Sequence, residues 1–310
     1  MHAHRLWLAV LALLWCSACQ PEPQPTVIRI GFVAPFEGRY REIGTDVITA
    51  ARIATRDWAA WADPTLPRFE ITAYDDLGDP ELAVEQARKI AADPAVAVVI
   101  GHWRDETTQA ALPLYEDLPV VTFSPLEMDH ALNLSAAQGD LLSAQGAWAL
   151  EHNPAVVVGD RGSAVGNLDG LREAADLLPG STIVMGPGAG LAQFRALAAT
   201  ETLPTESVVF VTSGALPADR AGWDTDFARR FEEAFREASL GAAPGLMAAA
   251  AYEATWVAMH TALEAEGIDM PETIVPVALP SFDRSGRWHM APIYLYTWQN
   301  GQPHLVEQYR

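Results

Sequence analysis

The chain has a single lysine, Lys89, among 310 residues. Forty acidic residues face twenty basic ones, a net charge of −20. No basic patch can gather to neutralise phosphates, which argues against nucleic acid as a partner. Such acidity keeps a protein soluble but says little about a ligand. Cysteine is nearly absent: Cys16 and Cys19 are the two. Long apolar runs are missing as well, and none is long enough to span a bilayer as a helix. So are the common catalytic signatures. The nearest approach to G-x-S-x-G is Gly162-Ser163-Ala164-Val165-Gly166, with its serine one place early. No H-E-x-x-H or paired-histidine set occurs, and the eight histidines are scattered. Gly186-Pro187-Gly188-Ala189-Gly190-Leu191 follows a strand pattern and opens a helix, as a dinucleotide loop does. It ends in Leu191 where Gly or Ala is needed, and it does not open a domain, so a tight glycine turn is the simpler reading. The sequence predicts no enzyme, no cofactor and no metal.

What is present starts with a leader. His2, His4 and Arg5 precede ten apolar residues, Leu6–Trp15, and then Cys16-Ser17-Ala18-Cys19. This reads as residues 1–19 of a lipoprotein signal peptide, with lipidation at Cys19, although Cys16 stands where Leu is usual. Cleavage there would remove Cys16, so neither C-x-x-C redox chemistry nor an internal disulfide is expected. Several acyl chains on one cysteine hold a protein stably to a membrane. Residues 20–26, opening QPEPQP, read as a stiff linker.

About 290 residues remain, more than one core usually serves. Short apolar runs alternate with helical patterns. Strands are expected at 28–33, 69–74, 96–100, 120–123, 155–158, 182–185 and 208–211. Helices are expected at 44–60, 80–92, 107–116, 138–151, 165–177 and 191–199. That alternation predicts βαβ units and parallel sheets. Two helices follow without a strand between them, 224–238 and 244–266. The end differs: Ile293–Trp298 and His304–Gln308 flank Asn300-Gly301, a strong hairpin signal.

Two strand–loop–helix units, Ile28–Gly44 (IRIGFVAPFEGRYREIG) and Tyr74–Ala83 (YDDLGDPELA), resemble the type I periplasmic binding proteins, and most of all the branch serving branched-chain amino acid ABC transporters. Ala95–Gly101, Leu118–Pro125, Ala136–Gly139 and Ala249–Ala254 are similar to the family's next units and its returning helix. The resemblance implies an α/β fold of two Rossmann-like lobes with parallel sheets joined by a hinge, the second lobe shortened near Ser213. Lobe 1 is expected at 27–132 and 247–288, lobe 2 at 133–246 and 289–310, with hinge crossings near 130–137, 245 and 288–292. It further implies a lipid-anchored solute-binding protein on the extracytoplasmic face of the cell envelope. Such a protein closes on a small polar ligand (an amino acid, an amide or a related compound) and docks on an ABC permease. The alternative is a sensory or regulatory protein of the same fold with no transport role.

Ligands of open α/β sheets bind beyond the carboxyl ends of the strands. The candidate ligand-binding residues are Phe36, Tyr40, Trp103, Asp105, Ser124, Glu127, Arg161 and Tyr252. In the family's amino acid binders the resemblance implies a serine, a threonine and a tyrosine where this chain has Asp105, Met128 and Val165. A carboxylate at Asp105 would repel a ligand carboxylate, so a cationic, amide or hydroxyl group is expected against lobe 1. Other readings stand beside these. Asp105 can serve as a helix cap, Trp103 as a core cover or a stacking face, and Glu127 as a solvated carboxylate. Tyr40 and Arg39 can lie on the rim, and Tyr252 can pack within its helix. Asp79 before Pro80 and Glu81 reads as a clean N-cap, making DDLGD a structural loop.

Overall fold

A computed structural model describes residues 26–128, 130–152, 154–160 and 164–309. The expected leader, the lipidation site Cys19 and the candidate Arg161 lie outside the described residues.

The first half of the chain builds one parallel sheet. Its strands are β1 (Val27–Ala34), β2 (Arg68–Asp75), β3 (Val96–Ile100), β4 (Val120–Thr122) and β5 (Ala131–Asn133), in the order β2-β1-β3-β4-β5. Helices α1 (Arg41–Trp61), α2 (Pro80–Ala91) and α3 (Asp105–Ala111) join them. The expected cap at α2 is formed: Asp79 accepts from the backbone of Glu81 and Leu82 at 2.9 and 3.1 Å. Strand β5 was not anticipated. It has three residues and a weak strand former, Asn133, and distant chain pins it. The Asn133 N–H donates to the Gly286 carbonyl, and the Trp288 N–H donates to the Asn133 carbonyl.

The second sheet follows with α4 (Gln138–Glu151), β6 (Ala155–Val158), α5 (Ala164–Leu177), β7 (Thr182–Met185), α6 (Ala192–Thr200) and β8 (Val208–Thr212). These three strands are parallel, and the chain's last hairpin, β9 (Ile293–Gln299) and β10 (Gln302–Tyr309), completes the order β10-β9-β8-β7-β6. This sheet is therefore mixed, because a two-residue connection can only join antiparallel strands. Asn300 (φ 49°) and Gly301 (φ 77°) both take the left-handed conformation a tight hairpin turn requires.

Between β8 and β9 the chain returns to the first lobe through α7 (Thr225–Ala238) and α8 (Ala248–Ala265). Helix α8 is alanine-rich and buried along most of its length, which lets it lie close against α1. Helix α7 corrects the expected division, which left 224–238 with lobe 2. Its Phe227, Phe231 and Phe235 recur at helical spacing and share the first lobe's core with Trp58, Tyr252 and Trp256. The second core gathers Phe194, Phe210, Tyr294, Tyr296 and Trp298. No described helix is long and apolar enough to cross a membrane.

Candidate binding cleft between the two sheets

Loops leaving the carboxyl ends of β3 and β4 face those leaving β6, β7 and β8 across a cavity of about 210 Å³. From the first sheet come Trp103, Arg104, Asp105 and Glu106, then Phe123 and Pro125. Opposite them are Asp160, the glycine loop at Gly186–Gly188, and Thr212 with Ser213. Ser135 and the α4 residues Gln138, Leu141, Leu142 and Gln145 close one side, while Ile43, Leu191 and Met247 add apolar surface.

The first wall is fixed from behind. After β3, His102 is buried, its Nδ1 2.7 Å from Asp76 Oδ2 and its Nε2 3.1 Å from the Tyr115 hydroxyl. The His102 carbonyl accepts from the hydroxyls of Thr108 and Thr122. Trp103 follows and stacks between Phe32 and Phe123, each ring centroid 6.2 Å away. It is 6% exposed, and its Nε1 has no hydrogen-bond partner among the described residues. Trp103 therefore covers the core, with Phe32 and Phe123 stacked on it, and also lines the cavity.

Asp105 opens α3, but the capping position belongs to Arg104. The Asp105 carboxylate instead accepts a 2.6 Å hydrogen bond from Ser124 Oγ. Burial raises its pKa above the usual range, opposed by the Ser124 bond; the charges of Glu106 and Asp160 raise it further, and Arg104 lowers it. Arg104 is occupied: its Nη2 donates to Glu106 at 2.9 Å, and its guanidinium lies 3.6 Å from the Tyr40 ring centroid.

The second wall rests on Asp160. Its Oδ2 accepts from the Gly188 N–H at 2.8 Å and its Oδ1 from Asn167 Nδ2 at 3.1 Å. A Cβ on Gly188 would stand 2.2 Å from Asn167 Nδ2, so any larger residue would have to push that amide aside. The segment is a tight turn on a carboxylate, as the sequence reading preferred. On α4, Gln145 is 1% exposed, and its Oε1 accepts no hydrogen bond among the described residues.

Of the eight candidates, Trp103 and Asp105 line the cavity. Ser124 reaches it only through Asp105. Tyr40 stands behind Arg104, and Phe36 packs beside Phe32 while its N–H donates to Asp75. Glu127 is exposed and outside the lining. Tyr252 is removed from the site altogether. It is fully buried in the first core, ringed by Trp223, Phe227 and Phe231, and its hydroxyl donates to Asp57 at 2.9 Å. The inward face of an alanine-rich helix leaves a tyrosine nowhere else to point. Gln145 was missed. Its signal was a glutamine between Leu141 and Trp148 at helical spacing, on a face that is otherwise core.

The crossings are tied together near the cleft. Asp46 of α1 accepts from the backbone of Gly245 and Met247 at 2.7 and 3.0 Å. The Ala136 N–H donates to Ser213 Oγ at 2.8 Å. Buried Arg220 pairs with Glu253 and also donates to the Ser213 carbonyl.

Comparison with known proteins agrees with this geometry. Residues 27–140 match the periplasmic binding protein family. The leucine-binding protein LivK of Thermotoga maritima superposes with a TM-score of 0.67 at 16% identity, over 91% of this chain and 98% of that one. The chain has the type I periplasmic binding protein fold. LivJ of Streptococcus pneumoniae, solved with isoleucine, gives 0.66 at 16% identity over 91% and 99%. A solute-binding protein of Rhodopseudomonas palustris BisB5, solved with 3,4-dihydroxybenzoic acid, gives 0.66 at 15% over 91% and 97%. In sequence, the Leu/Ile/Val-binding protein of Escherichia coli K12 is 32% identical over 98 residues, 32% of this chain and 26% of that protein. The match thus spans about a quarter of the curated relatives' length. The family resemblance drawn from the sequence holds.

Proposed function

We propose that this chain is an extracytoplasmic solute-binding protein of an ABC importer, held to the membrane by lipid on Cys19. It captures a small polar solute, an amino acid, an amide or a related compound, between its two lobes. Closure is a hinge motion about the crossings near 130–137, 245 and 288–292. The closed form docks on a membrane permease, while a separate subunit spends ATP. One observation carries the reading: a cavity lined from both sheets at strand carboxyl ends, with buried polar atoms of Trp103 and Gln145 that have no hydrogen-bond partner among the described residues. Unmet buried polar groups cost free energy unless something supplies the missing bond.

A thermal-shift screen of the protein against amino acids, amides, amines, aromatic acids and sugars tests it. Ligand at one hundred times its Kd should stabilise the fold by about 2.7 kcal/mol. If no compound class shifts the transition, the reading is wrong. Mass spectrometry of the membrane fraction should find an acylated N-terminal Cys19; an unmodified N-terminus would remove the anchor from the proposal.

A further inference from the structure

We propose that the solute held in this cleft is a small organic amine bearing a carbonyl or hydroxyl oxygen but no free carboxylate. The inference rests on the solute-binding reading and narrows it. Three carboxylates line the cavity, Asp105, Glu106 and Asp160. Among the described lining residues the one cation is Arg104, already engaged by Glu106 and stacked on Tyr40. Among the described lining residues a carboxylate entering here meets like charge from three side chains, whereas an ammonium finds Asp105 with one described side-chain hydrogen-bond donor, Ser124.

Acidic residues alone would not define a ligand; two buried polar atoms do. Among the described residues Gln145 Oε1 is an acceptor without a donor, and Trp103 Nε1 is a donor without an acceptor. The first asks the ligand for an N–H or O–H and the second for a lone pair. An amine with a neighbouring amide or hydroxyl supplies both. The rest of the surface, Phe123, Leu141, Leu191 and Met247, is apolar and suits a hydrocarbon or ring body. No group of three or more His, Cys, Asp or Glu among the described residues is placed to hold a metal ion. The cavity is smaller than the roughly 300–1,000 Å³ of sites for drug-sized ligands.

Calorimetry with matched probes tests this. Leucinamide, leucinol and phenylalaninamide keep the amine and replace the carboxylate; leucine, phenylalanine and 4-methylpentanoate keep the carboxylate. At least one of the first three should bind at least tenfold tighter than its carboxylate counterpart. Asp105→Asn should weaken that binding by roughly tenfold to a hundredfold. Trp103→Phe and Gln145→Leu should each weaken it several-fold, with melting temperatures of the unliganded proteins within a few degrees of wild type. Leucine or 4-methylpentanoate binding as tightly as the amines, or Asp105→Asn binding them as wild type does, would overturn the inference and leave the solute-binding reading standing. If neither these probes nor any class in the wider screen binds, both fall together.

Discussion

The two walls of the cleft are built by different means. The first is a stack of large side chains: Trp103 between Phe32 and Phe123, on a loop locked by Asp76, His102 and Tyr115. The second is backbone folded tightly on one carboxylate, with Gly188 and Asn167 against Asp160. Side chains that are buried and stacked confer shape and chemical selectivity, since their rotamers are fixed by packing. A glycine turn confers close approach and freedom to adjust. Under the proposed function, discrimination among solutes is assigned to the first wall and closure over them to the second. The family match falls on residues 27–140, the lobe that carries the first wall.

The seam between the walls should give the largest effect. Asp46, on the first lobe's α1, grips the crossing at Gly245 and Met247, and burial raises its pKa to about 7 against the backbone N–H bonds that lower it. A carboxyl whose folded pKa exceeds its unfolded value binds an extra proton in the native state. Its contribution is thus complete below about pH 4 and is lost as pH rises towards about 7. The loss is on the order of 4 kcal/mol at most, three pKa units at about 1.36 kcal/mol each. Denaturant unfolding from pH 4 to 8 should show this decline in wild type and not in Asp46→Asn. Parallel curves would mean the seam does not titrate.

His102→Leu breaks the first wall at its anchor. Asp76 Oδ2 and the Tyr115 hydroxyl lose a buried partner, at about 1–3 kcal/mol for each group left unpaired. Stability should drop by about 3 kcal/mol, and ligand affinity with it, because the Trp103 loop is no longer held. Unchanged affinity in a folded variant would show that the stack, not the anchor, fixes the loop.

Gly188→Ala is the gentler probe of the second wall. The new Cβ meets Asn167 Nδ2, the far end of a side chain that can swing away. Overpacking of this kind should cost about 1–2 kcal/mol. Selectivity between amine and acid probes should survive while affinity falls for all of them. A change of selectivity would move discrimination to the second wall and undo the contrast drawn above.

Much of this was legible in the chain itself. Strands such as Val96–Ile100 and Val208–Thr212 are buried on both faces and read as continuous apolar runs. Asp79-Pro80 announced a helix start, and Asn300-Gly301 a hairpin, since both depend on local geometry. Strand β5 was invisible because it is only three residues long, pairing with β4 on one side and bridged at Asn133 by Arg287, about 150 positions away, on the other. Tyr252 was misread as a ligand contact because its helix is buried almost all round, so the local pattern does not show which way it points.

The sequence by itself determined the alternation of strands and helices, the resemblance to a binding-protein family, and Trp103 and Asp105 as residues beyond a strand end. Each rests on periodicity or motif, which act over a few residues. Tertiary structure alone decided that α7 joins the first core, that Asp105 takes a serine hydroxyl in place of a capping role, and that Gln145 Oε1 stands beside the cavity with no partner among the described residues. Those outcomes depend on which distant surfaces exclude water together, and no local pattern encodes that.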